Sequence, residues 1–293
     1  MTAALVRRLA DSTSLRVAGA DRTAFLHRLL TADIAGLESD TSRPCMLLDT
    51  KGRVQALMEI VATPDAVVGF AHQDAVALVV TTLERYVLGA DVAFTPQELA
   101  VVGLRGEVGP LLDAADLPGA GVVARRGDEA FIATSDPESV VAALIAAGAT
   151  EADDTAWLAD RIAAGQPGHG AEVSGREFPQ ELGLVDAVDF DKGCYLGQET
   201  VARIHYRGQV NRLLAVLRST APLTSGTELQ RDGAAVGTIS SAAERSGEWL
   251  GLALLPRDAA APGTTLSGPE STMVEVIDNV ETHPNATTTP PAS

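Results

Sequence analysis

The chain has 293 residues, 46% hydrophobic and 21% charged, with a formal net charge of −17. That length allows two or three packed units with sizeable cores. The acidic balance argues against general binding to nucleic acid or anionic membranes, both of which select basic surfaces. The longest near-continuous apolar stretch, residues 140–149, is about half of the ~20 residues that a membrane-spanning helix needs. No apolar core of signal-peptide length opens the sequence, so a cytoplasmic protein is expected.

In chain order, residues 15–18 read as a short strand, and Asp21 is expected to cap a helix whose apolar face runs through Phe25, Leu26, Leu29 and Leu30. Runs at 45–48, 54–62 and 66–71 favour strands, divided by turn signals at 49–52 and at Pro64-Asp65. Lys51 therefore falls in a tight hairpin-like turn. Residues 74–88 repeat apolar side chains at helical spacing, and strands follow at 92–94 and 100–104. A helix from about Pro110, strands near Val122 and Phe131, and a helix capped by Ser135 or Asp136 complete a second sheet-and-helix unit.

Asp153 and Asp154 read as the cap of a helix over 156–164, because carboxylates there accept orphan backbone N–H groups. Residues 165–183 are rich in Gly, Pro and polar side chains, which suits an ordered loop crossing a cleft. Beyond Gly208, strands at 212–218, 227–230, 235–240, 249–254 and 273–277 predict a small barrel. The reading is thus a body over 1–207 with two sheet-and-helix subdomains, a β-barrel over 208–279 and a disordered tail over 280–293.

Gly119-Ala-Gly121-Val-Val-Ala124 matches a dinucleotide pattern on paper, but Pro118 precedes it and a strand, not a helix, should follow. Asn285-Ala-Thr287 matches a glycosylation acceptor only by its letters. The histidines show no close metal-ligand pairing. Cys45 and Cys194 are the only cysteines, too few for an iron–sulfur or zinc site built by one chain, so metal chemistry would involve a partner.

Of the 22 basic residues only Lys51 and Lys192 are lysines, and both precede glycine. A lysine ammonium is a point charge on a flexible stem, which the planar fork of arginine does not replace in a tight space. From Lys192 the chain reads KGCYLGQETVARIHYRGQVNR, where Lys192, Arg203, Arg207 and Arg212 face the single acid Glu199. The field of an acidic molecule is locally inverted there. Gly193 and Gly197 permit close backbone approach, and Gln198 offers both donors and acceptors to a planar heterocycle. Helix from Gln198 would place Gln198 and Glu199 in a first turn that favours a polar or anionic ligand. Cys194, beside Lys192 and that helix start, reads either as a reactive or metal-coordinating thiol or as a small buried hydrophobe, the usual role of a lone cysteine.

The segment K-G-C-Y-x-G-Q-E resembles the signature of the YgfZ family, and LRVAGADRTAFLHRLLTADI, LLDTKGR, DRIAAGQP and REFPQELGL extend the resemblance over most of the chain. The resemblance implies an α+β, glycine-cleavage T-protein-like folate-binding fold with a C-terminal small β-barrel closing a central cleft. It also implies tetrahydrofolate as the cofactor, and a role in synthesis or repair of iron–sulfur clusters in client or assembly proteins; the net charge, separately, leads us to expect no nucleic acid or membrane partner.

Placed against the T-protein pattern, Glu181 falls where a pterin-reading carboxylate is expected and Arg212 near an arginine that serves the folate; both can form paired hydrogen bonds to such a ligand. Gln55 and Ala56 stand where that pattern carries two aspartates, and Cys194 replaces an acidic residue. These exchanges point away from aminomethyl transfer and toward thiol or cluster-linked work. The expected site is Cys194 as the functional thiol, with Lys51, Glu181, Lys192, Tyr195, Gln198, Glu199, Arg203 and Arg212 around a folate cleft. The alternatives are a folate-dependent aminomethyltransferase or demethylase-type enzyme acting on a small amine, and a folate-binding scaffold without chemistry.

Overall fold

The computed structural model describes residues 4–39, 41–269 and 272–281. β1 (Leu5–Leu9) opens the chain but waits for later partners. β2 (Ser12–Ala18), β3 (Ser42–Leu48), β4 (Val54–Ala62), β5 (Ala66–His72) and β6 (Ala93–Gln97) form one antiparallel sheet in the order β3-β4-β5-β2-β6. The chain then returns to β1. With β7 (Ala100–Arg105), β8 (Ala120–Arg126), β9 (Glu129–Thr134) and β10 (Thr150–Glu151) it forms a second sheet, ordered β10-β1-β7-β9-β8 and antiparallel except for the β1–β10 pair.

Each sheet buries one face under helices and the other against its neighbour. α1 (Arg22–His27) and α2 (Gln73–Leu83) bring Phe25, Leu26, Val76, Val79 and Leu83 onto the first sheet. α3 (Val108–Ala114) and α4 (Pro137–Ala146) bring Val108, Leu111, Val140 and Leu144 onto the second. Between the sheets, Val61, Val68 and Phe70 meet Val101, Ala124 and Ala133, and the rings of Phe70 and Phe131 stack at 6.1 Å. Each such side chain, fully buried, contributes roughly 1.5–3 kcal/mol.

α5 (Asp154–Ala163) and α6 (Gln198–Arg207) flank the long loop. β11 (Arg212–Ser219), β12 (Glu228–Arg231), β13 (Ala234–Arg245), β14 (Glu248–Pro256), β15 (Thr265–Ser267) and β16 (Met273–Asn279) close into a barrel ordered β11-β14-β13-β12-β15-β16. Ala159 and Ile162 of α5 pack into its core. The protein is thus a mixed α+β fold with a C-terminal six-stranded barrel.

Asp136 and Asp153 cap α4 and α5 as expected, accepting from the N–H groups of Ser139 and Ala156. Asp21 stands at the N-cap of α1 as expected, but its carboxylate accepts from the Asp91 N–H instead of a helix N–H, tying the helix start to the β6 approach. α2 ends at Leu83, followed by a 3-10 turn over Glu84–Tyr86, short of the predicted residue 88. Leu88 is exposed, so the apolar spacing there earns no burial. Short strands β1, β10 and β15 lay below the reach of periodicity. Val280 is still packed, with its N–H on the Leu214 carbonyl. The disordered tail is expected from residue 280; its part over 282–293, with Asn285, lies outside the described residues.

Candidate functional site

The signature loop is held from beneath. Lys192 sends its ammonium to the carbonyls of His27, Leu30 and Ala32 at 2.5, 2.7 and 2.8 Å, around the C-terminal end of α1. Asp189 accepts the N–H groups of Asp191 and Lys192, and its own N–H donates to the Thr31 carbonyl. The buried Thr31 hydroxyl donates to the Ala187 carbonyl and accepts from the Met46 N–H. Burial pulls the Lys192 pKa below the ordinary lysine value, against the pull of Cys45, Asp33 and Asp189. Cys45 lies wholly buried beside it, and loss of hydration pushes its thiol up to about 11. Lys192 therefore acts as a built-in cation that fastens the loop.

Cys194 is exposed, whereas Tyr195 behind it is buried, with its ring 5.5 Å from the Lys192 ammonium and its hydroxyl making no hydrogen bond among the described residues. Burial pushes that hydroxyl up to about 12. Gly197, at φ +79°, turns the chain into α6 against the Lys51 turn: a Cβ there would lie 2.4 Å from the Asp49 carbonyl and 2.9 Å from the Gly52 Cα. Gly52 answers it at φ +81°, against Val201 and Thr200. The turn itself is set by the Asp49 carboxylate, which accepts from the N–H groups of Lys51 and Arg53. The turn with exposed Lys51 is thus joined to the signature.

Glu181 and Arg212 are also brought together, but with each other. The guanidinium bonds the carboxylate at 2.9 and 3.3 Å, and Glu181 further accepts the Phe178 N–H. Gln198 donates its N–H to the Tyr195 carbonyl, while Glu199 and Arg203 point to solvent.

A cavity of about 480 Å³ opens elsewhere, between the two sheets, α5 and the loop over 166–187. None of the nine residues named from sequence lines it. Its size is that of a small-molecule site, and its wall mixes apolar surface with a few converging polar groups. Leu57, Phe70, Phe131 and Trp157 supply the apolar part.

An ion-pair chain crosses the cavity wall. Glu59 takes the Ser42 hydroxyl at 2.7 Å and pairs with Arg126 at 3.0 Å; Arg126 reaches Glu129 at 3.4 Å, and Glu129 reaches Arg105 at 3.1 Å. The Arg105 guanidinium lies 4.8 Å from the Trp157 ring. Loss of hydration raises the Glu59 pKa and lowers that of Arg105. On the loop side, Arg161 pairs with Glu172 at 2.9 Å, and Glu172 also accepts from Ser240, Ser241 and the Gly168 N–H. The rings of His72 and His169 stack at 5.1 Å, and burial lowers the His169 pKa. Arg105 Nε and Nη1, Gln166 Oε1 and His169 Nδ1 are buried here and make no hydrogen bond among the described residues, although Arg105 Nη1 lies 3.8 Å from the Asp160 carboxylate. Such atoms are costly unless something completes them.

Strands β4, β5, β7, β8 and β9, with α5 and the loop over 166–187, deliver these groups from positions far apart in sequence, which is why periodicity did not find them. Glu59, a lone acid in the apolar run VQALMEIVA, was the signal available.

The architecture places the chain in a structural class. It superposes on the glycine cleavage system aminomethyltransferase T from Bartonella henselae with a TM-score of 0.81 at 17% identity, covering 94% of this chain and 86% of that one. The fold is therefore the aminomethyltransferase T fold. No family model matches the sequence. Among curated proteins it is 27% identical over 272 residues to the tRNA-modifying protein YgfZ of Aliivibrio fischeri, covering 86% of this chain and 85% of that protein. It is 29% identical over 236 residues to the YgfZ of Yersinia pseudotuberculosis, covering 73% and 70%. The chain is thus similar in sequence to YgfZ proteins over most of its length.

Proposed function

We propose that the chain binds tetrahydrofolate in the central cavity and serves as an accessory factor for iron–sulfur clusters in partner proteins, with Cys194 as its working thiol. The observation that carries the folate half is the cavity itself: buried polar atoms of Arg105, Gln166 and His169 that make no hydrogen bond among the described residues, beside apolar and aromatic walls. A pterin is planar and rich in N–H groups that carboxylate and amide oxygens can accept, and the folate carboxylates suit guanidinium. The thiol half rests on Cys194, exposed on a loop that Lys192 fastens. One thiol supplies one ligand, and a cluster takes about four, so the partner supplies the rest. The YgfZ relatives are named for tRNA modification. We extend that setting to this chain, with a cluster-bearing tRNA-modifying enzyme as the partner.

Two experiments test the reading. Calorimetric titration with tetrahydrofolate should give saturable binding, and its absence sinks the folate half. Cys194→Ala should fold normally yet fail to support iron–sulfur enzyme activity in a strain lacking the protein; full rescue removes the thiol's role.

The second reading, a folate-dependent transferase acting on a small amine, draws on the shared fold and on Glu59, a carboxylate on the cavity wall. Gln55 instead spends its amide on the Gly175 and Arg53 carbonyls, and Ala56 carries no acid. Turnover of a methylated amine with tetrahydrofolate would promote this reading to first place.

A further inference from the structure

Among the described residues, twelve of the chain's twenty arginines pair with a carboxylate. Of the eight that do not, Arg176, Arg203 and Arg207 lie on adjoining elements together with Lys51; all four are exposed, with no side-chain hydrogen bond among the described residues. They come from three elements that adjoin. The Arg53 guanidinium donates to the Arg176 carbonyl, and the Val54 N–H to the Glu177 carbonyl, which binds the Lys51 turn to the loop. Gly52 abuts Thr200, and Thr200, Arg203 and Arg207 form one stripe along α6. A chain of net charge −17 thus keeps one cationic face without partners of its own.

Beside that stripe stands an aromatic platform. The Phe190 and His205 rings stack with centroids 3.8 Å apart, and Tyr206 meets both edge-on, at 6.0 and 4.9 Å. Tyr206 is 64% exposed, a large aromatic surface given to water. Separated cations beside an open aromatic ring suit a strand of phosphates with unstacked bases. An acidic protein surface would use the cations but leave the ring idle.

We propose that this face, formed by α6 with the Lys51 turn and the Arg176 loop, binds an unpaired loop of RNA. Phosphates lie on the four cations and a base stacks on Tyr206. The inference rests on the reading that the chain works in tRNA modification, and it places RNA directly on the surface that carries Cys194 near one end. It departs from the expectation drawn from net charge, because the local field is inverted there.

The test is fluorescence anisotropy of the full chain with a labelled RNA hairpin bearing an unpaired loop. The controls are a blunt RNA duplex and poly-L-glutamate as competitor. Four phosphate contacts predict a slope of log affinity against log salt of about −3 for a single strand. Arg203→Gln with Arg207→Gln should roughly halve that slope. Tyr206→Ala should weaken binding about tenfold with the slope unchanged, and Tyr206→Phe should restore it. No salt-dependent binding at low salt, a slope unmoved by the arginine pair, or equal binding of the duplex would overturn the proposal. Displacement by poly-L-glutamate at matched charge would also overturn it, in favour of an acidic protein. Tetrahydrofolate titration of the same samples separates the two failures: RNA binding without folate binding sinks only the cavity reading.

Discussion

Replacing Lys192 by methionine keeps most of the side-chain stem and removes the ammonium that joins the signature loop to the end of α1. Three carbonyls, those of His27, Leu30 and Ala32, lose their donor at once. A hydrogen bond from a charged donor contributes roughly 1.5–3 kcal/mol net. Three that share one half-buried ammonium, and that water can partly replace, sum to less than three times that figure. The expected loss is therefore about 3 kcal/mol. Urea denaturation of wild type and Lys192→Met should show it as a lower midpoint with an unchanged slope, since the surface exposed on unfolding is the same. Lys192→Arg should recover only part, because a planar fork cannot converge on three carbonyls as an ammonium does. A loss below about 1 kcal/mol would refute the reasoning, showing that solvent already satisfies these carbonyls.

Other consequences follow from the same geometry. Gly197→Ala forces a Cβ to within 2.4 Å of the Asp49 carbonyl at φ +79°, and should cost about 2 kcal/mol or more, read by thermal melting. Thiol labelling of the native chain should modify Cys194 alone, with Cys45 reacting only in denaturant; two fast thiols in the native state would contradict the burial of Cys45. Burial alone would raise the Glu172 pKa, but Arg161, Ser240, Ser241 and the Gly168 N–H outweigh it and hold the carboxyl below its ordinary 4.5. The unfolded chain then binds the extra proton as pH falls through about 4.5, so this stabilisation is complete above that value and is lost as pH drops toward the folded pKa. Glu172→Gln should be less stable near neutrality and show a shallower acid limb in pH-dependent melting; a limb as steep as wild type would contradict the assignment.

Local chemistry made the strands and caps legible. The β-favouring run of β4, the turn at Asp49 and the caps at Asp136 and Asp153 are short-range signals, and the structure carries them. The signature's glycines were legible as backbone devices, and Gly197 serves as one. Legibility failed where partners come from afar. Glu181 and Arg212 were read as ligand groups, yet they satisfy each other across 31 residues. Lys192 was read as a charge for a ligand, yet its ammonium serves three carbonyls 160 or more residues away. The cavity was invisible for the same reason, since Glu59, Arg105 and Glu129 meet only through sheet pairing and the packing of one sheet on the other.

The central claim is that a reduced folate sits in the cavity beside Trp157. The chain has two tryptophans, so a Trp249→Phe variant leaves Trp157 as the only indole reporter on that wall. Titrating this variant with tetrahydrofolate should change the indole emission saturably, and adding Gln166→Leu, which removes an unpaired acceptor from the cavity, should weaken the response about tenfold. No saturable change, or a response indifferent to Gln166→Leu, would contradict the account.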